Sequence, residues 1–181
     1  MPYKLIILSS LAFLGLHELN GLLFNHLSFN SHISIIYLPG FLRLLNVLIL
    51  GPVFGTLATM LGGILILPFL NTINVTETAD IFCSGLGPLI AIYLFKINLN
   101  RSVDPTFTKD LVFLGLIYSF SNTLLHHLAW VIIEPSALVW SMQFFEMMLG
   151  DINGVLLGAL ALKTIVKLPF IRKKIDQLDK L

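Results

Sequence analysis

YLPGFLRLLNVLILGPVFGTLATMLGG, residues 37–63, decides how the chain is read. The stretch is apolar almost throughout, yet Gly51-Pro52 interrupts it. Proline lacks the amide donor that a continuing helix needs, and it pushes the residue before it out of helical geometry. Read as one helix, the apolar run would extend over about 35 residues, longer than ~30 Å of hydrocarbon accommodates at 1.5 Å per residue. A tight hairpin with one span on either side fits better.

Working outward, turn and charge signals separate six apolar stretches: residues 4–24, 33–50, 53–70, 80–96, 109–133 and 138–166. The chain has 181 residues, 56% hydrophobic and only 12% charged, with a mean hydropathy of +0.90. A soluble domain carries roughly 25% charged residues, so water is not the main solvent here. The expected fold is all-α: a polytopic membrane helix bundle of six transmembrane helices. Residues 1–168 form that domain, and residues 169–181, rich in Lys and Arg, form a basic amphipathic cytoplasmic tail at anionic headgroups. A net charge of +1 argues against a nucleic-acid partner, which requires a basic surface.

The distribution of basic residues sets the orientation. Lys4, the group Lys96, Arg101 and Lys109, and the tail from Lys163 onward mark one face; the loops around 25–32, 71–79 and 134–137 contain no Lys or Arg and carry Glu77 and Glu134. Every basic residue except Arg43 falls on one side if there are six spans with both ends inside (N-in, C-in). A multi-pass protein of the bacterial cytoplasmic (inner) membrane is therefore expected. The N-terminal stretch resembles a signal peptide but continues through His17, Glu18 and Asn20 without a convincing small-x-small cleavage site, so it reads as a retained first span. A cleaved signal would leave five spans and split the basic segments. The lone Cys83 forms no intrachain disulfide and reads as a small buried hydrophobe. Gly150, Gly154 and Gly158 recur every four residues and mark a face for close helix contact, and Gly51, Gly55, Thr59 and Gly63 make a similar ridge.

Polar residues inside the spans are the candidate site. Arg43 stands near the middle of the second span, where a charge costs roughly 2.5–3.5 kcal/mol on insertion scales. Its expected counter-charge is Asp151, with Glu146 as the other candidate. Two readings stand: an ion pair that fixes helix register, or a guanidinium that binds ligand. His126 and His127 lie near the outer end of the fifth span, with Asn122 one turn below His126. Adjacent histidines project about 100° apart, which suits a shared metal less than an i, i+4 pair would. One is expected to face the interior and bond a carboxylate, the other to point at headgroups. His17, Glu18 and Asn20 on the first span, Glu146 on the sixth and Asp80 at the start of the fourth complete an outer polar set, while the cytoplasmic half contributes almost none. The expectation is an outward-facing cavity for a small polar ligand or ion, built from Glu18, Arg43, His126, Glu146 and Asp151. No phosphate loop, HExxH, CxxC or GxSxG motif is present, so no enzyme activity, cofactor or metal is expected.

At YLPGFLRLLNVLILGPVFGTLATMLGG and at GDINGVLLGALAL, residues 150–162, the chain resembles the first family of membrane-associated sensor domains, found ahead of bacterial histidine kinases and diguanylate cyclases. The resemblance makes Pro39, Gly40, Arg43, Gly51, Gly150, Asp151 and Gly154 the motif positions, covering about a quarter of the chain. It implies a sensory role, and with no output domain after the last span, a separate signalling subunit as partner. In size and topology the chain is also similar to the substrate-binding S components of energy-coupling-factor vitamin transporters, which implies a transport subunit instead. A third reading is an accessory subunit of a larger membrane complex. In all three the lipid bilayer is a partner.

Overall fold

The structure, a computed structural model, describes residues 2–27, 33–69, 74–104, 108–133 and 142–166. The expected basic tail, residues 169–181, lies outside them, as does Glu134. The described residues form five long helices: α1 (Pro2–Phe24), α2 (Pro39–Ile66), α3 (Val75–Leu99), α4 (Thr108–Ile133) and α5 (Met142–Val166). Short 3-10 turns, Asn25–Leu27 and Leu67–Phe69, follow α1 and α2. All five helices are long and apolar enough to cross a bilayer.

Their large apolar side chains point outward, among them Leu22 at 81%, Ile132 at 79% and Leu8 at 64% exposure. The interior holds Arg43, Asn46, Ser119, Asn122, Thr123, His126 and Asp151. That inverted distribution suits a chain solvated by lipid, where exposed carbon has no cost and polar groups must find each other inside. The chain is a multi-pass membrane protein.

The second and third apolar stretches fall within one continuous element, α2, so the described residues form five helices where six were expected, although the backbone leaves helical geometry at Gly51. The expected break is nevertheless there. Gly51 has φ 80° and ψ 170°, a region open essentially to glycine alone, and Pro52 follows as a helix-starting residue that needs no donor. The consequence appears at Asn46, whose Nδ2 donates to Thr59 Oγ1 at 3.2 Å. In a straight helix those residues would stand about 20 Å apart. The two halves of α2, residues 39–50 and 52–66, therefore fold back on each other at Gly51. Gly55 lets them approach: a Cβ there would come within 2.5 Å of the Asn46 carbonyl oxygen. α1 clasps both halves, Ser9 Oγ donating to Asn46 Oδ1 and Ser10 Oγ to the Ala58 carbonyl at 2.9 Å.

This layer also corrects the expectation that polar residues collect in one half of the bundle. Ser9, Ser10, Asn46 and Thr59 are buried or part-buried toward the N-terminal end of α1 and staple the hairpin.

Residues 33–38, expected to open the second span, are not helical. This strap runs along α5 and α1. Tyr37 N donates to the Gly150 carbonyl at 3.0 Å, Ile35 N to the Leu27 carbonyl at 3.2 Å and Leu38 N to Asn20 Oδ1 at 2.8 Å, while Asn153 Nδ2 donates to the Ile35 carbonyl at 2.9 Å. Gly150 and Gly154 serve this strap, not a second helix: a Cβ on either would overlap the carbonyl oxygens of Ser34 and Tyr37. Gly158 packs on the Phe41 ring. Pro39, at the first position of α2, then restarts the helix where the strap ends.

At the other connections the local chemistry is plain. Asn74 caps α3 by accepting from Glu77 N at 2.9 Å, and Asn100 ends it in the left-handed conformation that Asn tolerates. Arg101 grips Asp110 with both terminal nitrogens, at 2.5 and 2.6 Å, which ties the end of α3 to the start of α4. That carboxylate holds the Arg101 guanidinium above its ordinary range.

Candidate functional site

The hairpin places Arg43 at the junction of α1, α2, α4 and the strap, where it is 5% exposed. The carbon of its guanidinium lies 5.5 Å from the Phe13 ring centre and 4.8 Å from that of Tyr37, within cation–π range. Its Nη2 donates to the Tyr37 hydroxyl at 3.0 Å and its Nη1 to the Tyr118 hydroxyl at 3.5 Å. Its Nε is buried and, among the described residues, has no hydrogen-bond partner.

Asp151 is also buried, at 2% exposure. The expected direct ion pair with Arg43 is not formed: the Tyr118 hydroxyl stands between, donating to Asp151 Oδ1 at 3.5 Å while accepting from the guanidinium. Asn122 Nδ2 donates to the other carboxylate oxygen at 2.7 Å. Gly40, second residue of α2, admits this carboxylate; a Cβ there would lie 2.9 Å from Oδ1. Asp151 thus sits against the first turn of a helix, where the aligned peptide dipoles favour negative charge. The result is a relay of guanidinium, phenol and carboxylate, fully enclosed by protein.

One turn above Asn122, His126 is buried, with Nδ1 2.8 Å from the Asn122 carbonyl and Nε2 3.9 Å from Asp80 Oδ1. Trp130 Nε1 donates to the same Asp80 oxygen at 2.7 Å. His127 is buried too, its ring 5.0 Å from Trp130 and 5.3 Å from Phe144, so it does not point at headgroups.

Of the residues expected to build the site, the structure brings together Arg43 and Asp151, with His126 on the stripe of α4 that carries the relay. It does not bring in Glu18, which is exposed on α1 although His17 and Asn20 beside it turn toward the strap. One residue along a helix is about 100° of rotation, enough to separate them. Glu146 is partly exposed; five residues before Asp151, it lies about 140° round α5. Tyr37 and Tyr118 are members that sequence reasoning missed. Tyr118, Asn122 and His126 repeat every four residues, a spacing that was available as a signal; Tyr37, in a non-helical segment, gave none.

No known protein family, curated protein or solved structure matches this chain. What the site does must therefore be argued from its own chemistry. A fixed guanidinium held by neutral phenols, with its balancing carboxylate one hydroxyl away, suits binding of an ion or polar group.

Proposed function

We propose that this protein binds a small polar ligand or ion at the Arg43–Tyr118–Asp151 relay, entering from the outer side, and that the role is of the sensory type. The observation that carries the reading is the enclosed Arg43 guanidinium, bonded only to neutral hydroxyls with one nitrogen unpaired. Ionisable groups at membrane depth are costly, and they usually mark a binding or transfer site. Irregular backbone at that depth has the same association, because it is tolerated only where protein or a wet cavity satisfies it. Residues 33–38 are such a segment, and Tyr37 within them reaches the guanidinium.

In the same reading the chain crosses the cytoplasmic (inner) membrane six times, with the α2 hairpin counted as two passes and both ends inside. The Asn46–Thr59 bond supports the count, and the placement of Lys4, Lys96, Arg101 and Lys109 supports the orientation. A sensory role is in line with the resemblance carried by the Gly51-Pro52 and Gly150-Asp151 segments.

Native mass spectrometry of gently solubilised protein tests the proposal. A small molecule or ion retained by the wild type and lost from Arg43→Ala is the expected result. If Arg43→Ala changes neither the retained mass nor the thermal stability in detergent, the site is not where the protein binds.

A further inference from the structure

The guanidinium has an edge that defines what it takes. Its Nε–H and the nearer Nη2–H point the same way and form the side-on fork that matches the two oxygens of a carboxylate. On this edge Nε is unpaired and Nη2 is held by one neutral partner, the Tyr37 hydroxyl at 3.0 Å. The opposite nitrogen, Nη1, is the one that leads through Tyr118 to Asp151. The groups beside this unpaired edge are aromatic: Phe13 and Tyr37 flank the guanidinium, and the His17 ring lies edge-on to Tyr37 at 6.4 Å, with its Nδ1 buried and, among the described residues, without a hydrogen-bond partner.

Resting on the binding reading above, we infer that the ligand is a small organic carboxylate that docks on the Nε/Nη2 edge of Arg43 and displaces the Tyr37 hydroxyl, leaving the Tyr118–Asp151 link in place. Tyr37 is then a gate whose hydroxyl competes with ligand for a single nitrogen. A phosphate of a lipid headgroup shares the fork geometry, but Arg43 packs at the level of Phe13, about 16 Å along α1 from Phe24, too deep for a headgroup. Carboxylate chemistry also separates this reading from a cation held by Asp151, whose oxygens already accept from Tyr118 and Asn122.

The test is the thermal midpoint of the full chain in nanodiscs, followed by helical circular dichroism, as acetate is titrated against chloride at constant sodium. Acetate should raise the midpoint saturably. Tyr37→Phe should tighten the acetate response about tenfold, the worth of one competing hydrogen bond. Arg43→Lys keeps the charge but lacks the fork, and should lose the response while remaining folded. An acetate response undiminished in Arg43→Lys, or no response in either wild type or Tyr37→Phe, overturns the inference. In a parallel titration of sodium chloride against choline chloride, a sodium response with none to acetate, abolished by Asp151→Asn, overturns it too, while leaving the relay as a binding site.

Discussion

Replacing Gly51 with alanine tests the hairpin, because two architectures predict opposite signs. In a straight membrane helix, Gly→Ala at a mid-helix position removes the backbone entropy penalty of glycine and stabilises by roughly 1 kcal/mol. At φ 80° and ψ 170°, alanine enters a region that a Cβ forbids, which costs about 1–3 kcal/mol. Among the described residues, nothing beyond the adjoining backbone lies within 4 Å of a Cβ built at Gly51, so this cost is backbone strain and not packing. Gly55→Ala is the complementary variant: its methyl meets the Asn46 carbonyl and the Val47 Cα, backbone that has no rotamer to yield, and about 1–3 kcal/mol or more is lost through overpacking. Gly15→Ala, with open space around it on α1, is the control and should be neutral or slightly stabilising. Equilibrium unfolding in mixed micelles, with denaturing detergent as titrant, measures all three. A Gly51→Ala protein more stable than wild type refutes the fold-back. So does failure of an Asn46→Cys/Thr59→Cys pair to form a disulfide under oxidation, since the straight alternative holds those positions about 20 Å apart.

Gly154→Ala should be among the most damaging single methyl additions in the chain, costing more than about 3 kcal/mol, because the new atom overlaps the Tyr37 carbonyl; the same unfolding titration reads it. Tyr118→Phe removes the hydroxyl between Arg43 and Asp151 and should destabilise by about 1–3 kcal/mol, the cost of unsatisfied buried charged groups, with Asp151→Asn added to Tyr118→Phe losing less than the sum of the two single effects. Asp80→Asn weakens the acceptor of the Trp130 indole and should shift the emission of that tryptophan relative to wild type, while Glu18→Gln, on an exposed face, should leave both emission and stability unchanged. Asn74→Ala should cost about 1 kcal/mol through loss of the α3 cap, read by unfolding.

Much of this architecture could be read from residues alone, and the failures have a common cause. Hydropathy reports how deep a residue lies, so the apolar stretches and the break at Gly51-Pro52 were legible. It says nothing of rotation about the helix axis. Glu18 and Glu146 share their depth with the buried set but not its azimuth, and that is why they were drawn into a site they do not line. The strap was hidden for another reason: Ile33, Ile35 and Ile36 are as apolar as a helix would be, so the run 33–50 looked continuous. The glycines of α5 pointed correctly to a close approach, but the approaching object was carbonyl oxygen in irregular backbone. The convergence of Arg43 and Asp151 was legible because each charge had to be met inside the bundle. The phenol between them was not, because a tyrosine in a span carries no such obligation.

The strap has a consequence for how the protein comes to exist. The amides of Ile35 and Leu38 bond Leu27 and Asn20, which leave the ribosome before the strap, whereas the Tyr37 amide and Ile35 carbonyl bond Gly150 and Asn153, which leave more than a hundred residues later. Hydrocarbon offers those groups nothing in the interval. The strap therefore has its full set of partners only once α5 is in place. A chain halted before α5 would carry Arg43 and both tyrosines but lack Asp151, and lack Gly150 and Asn153 to hold the strap in place.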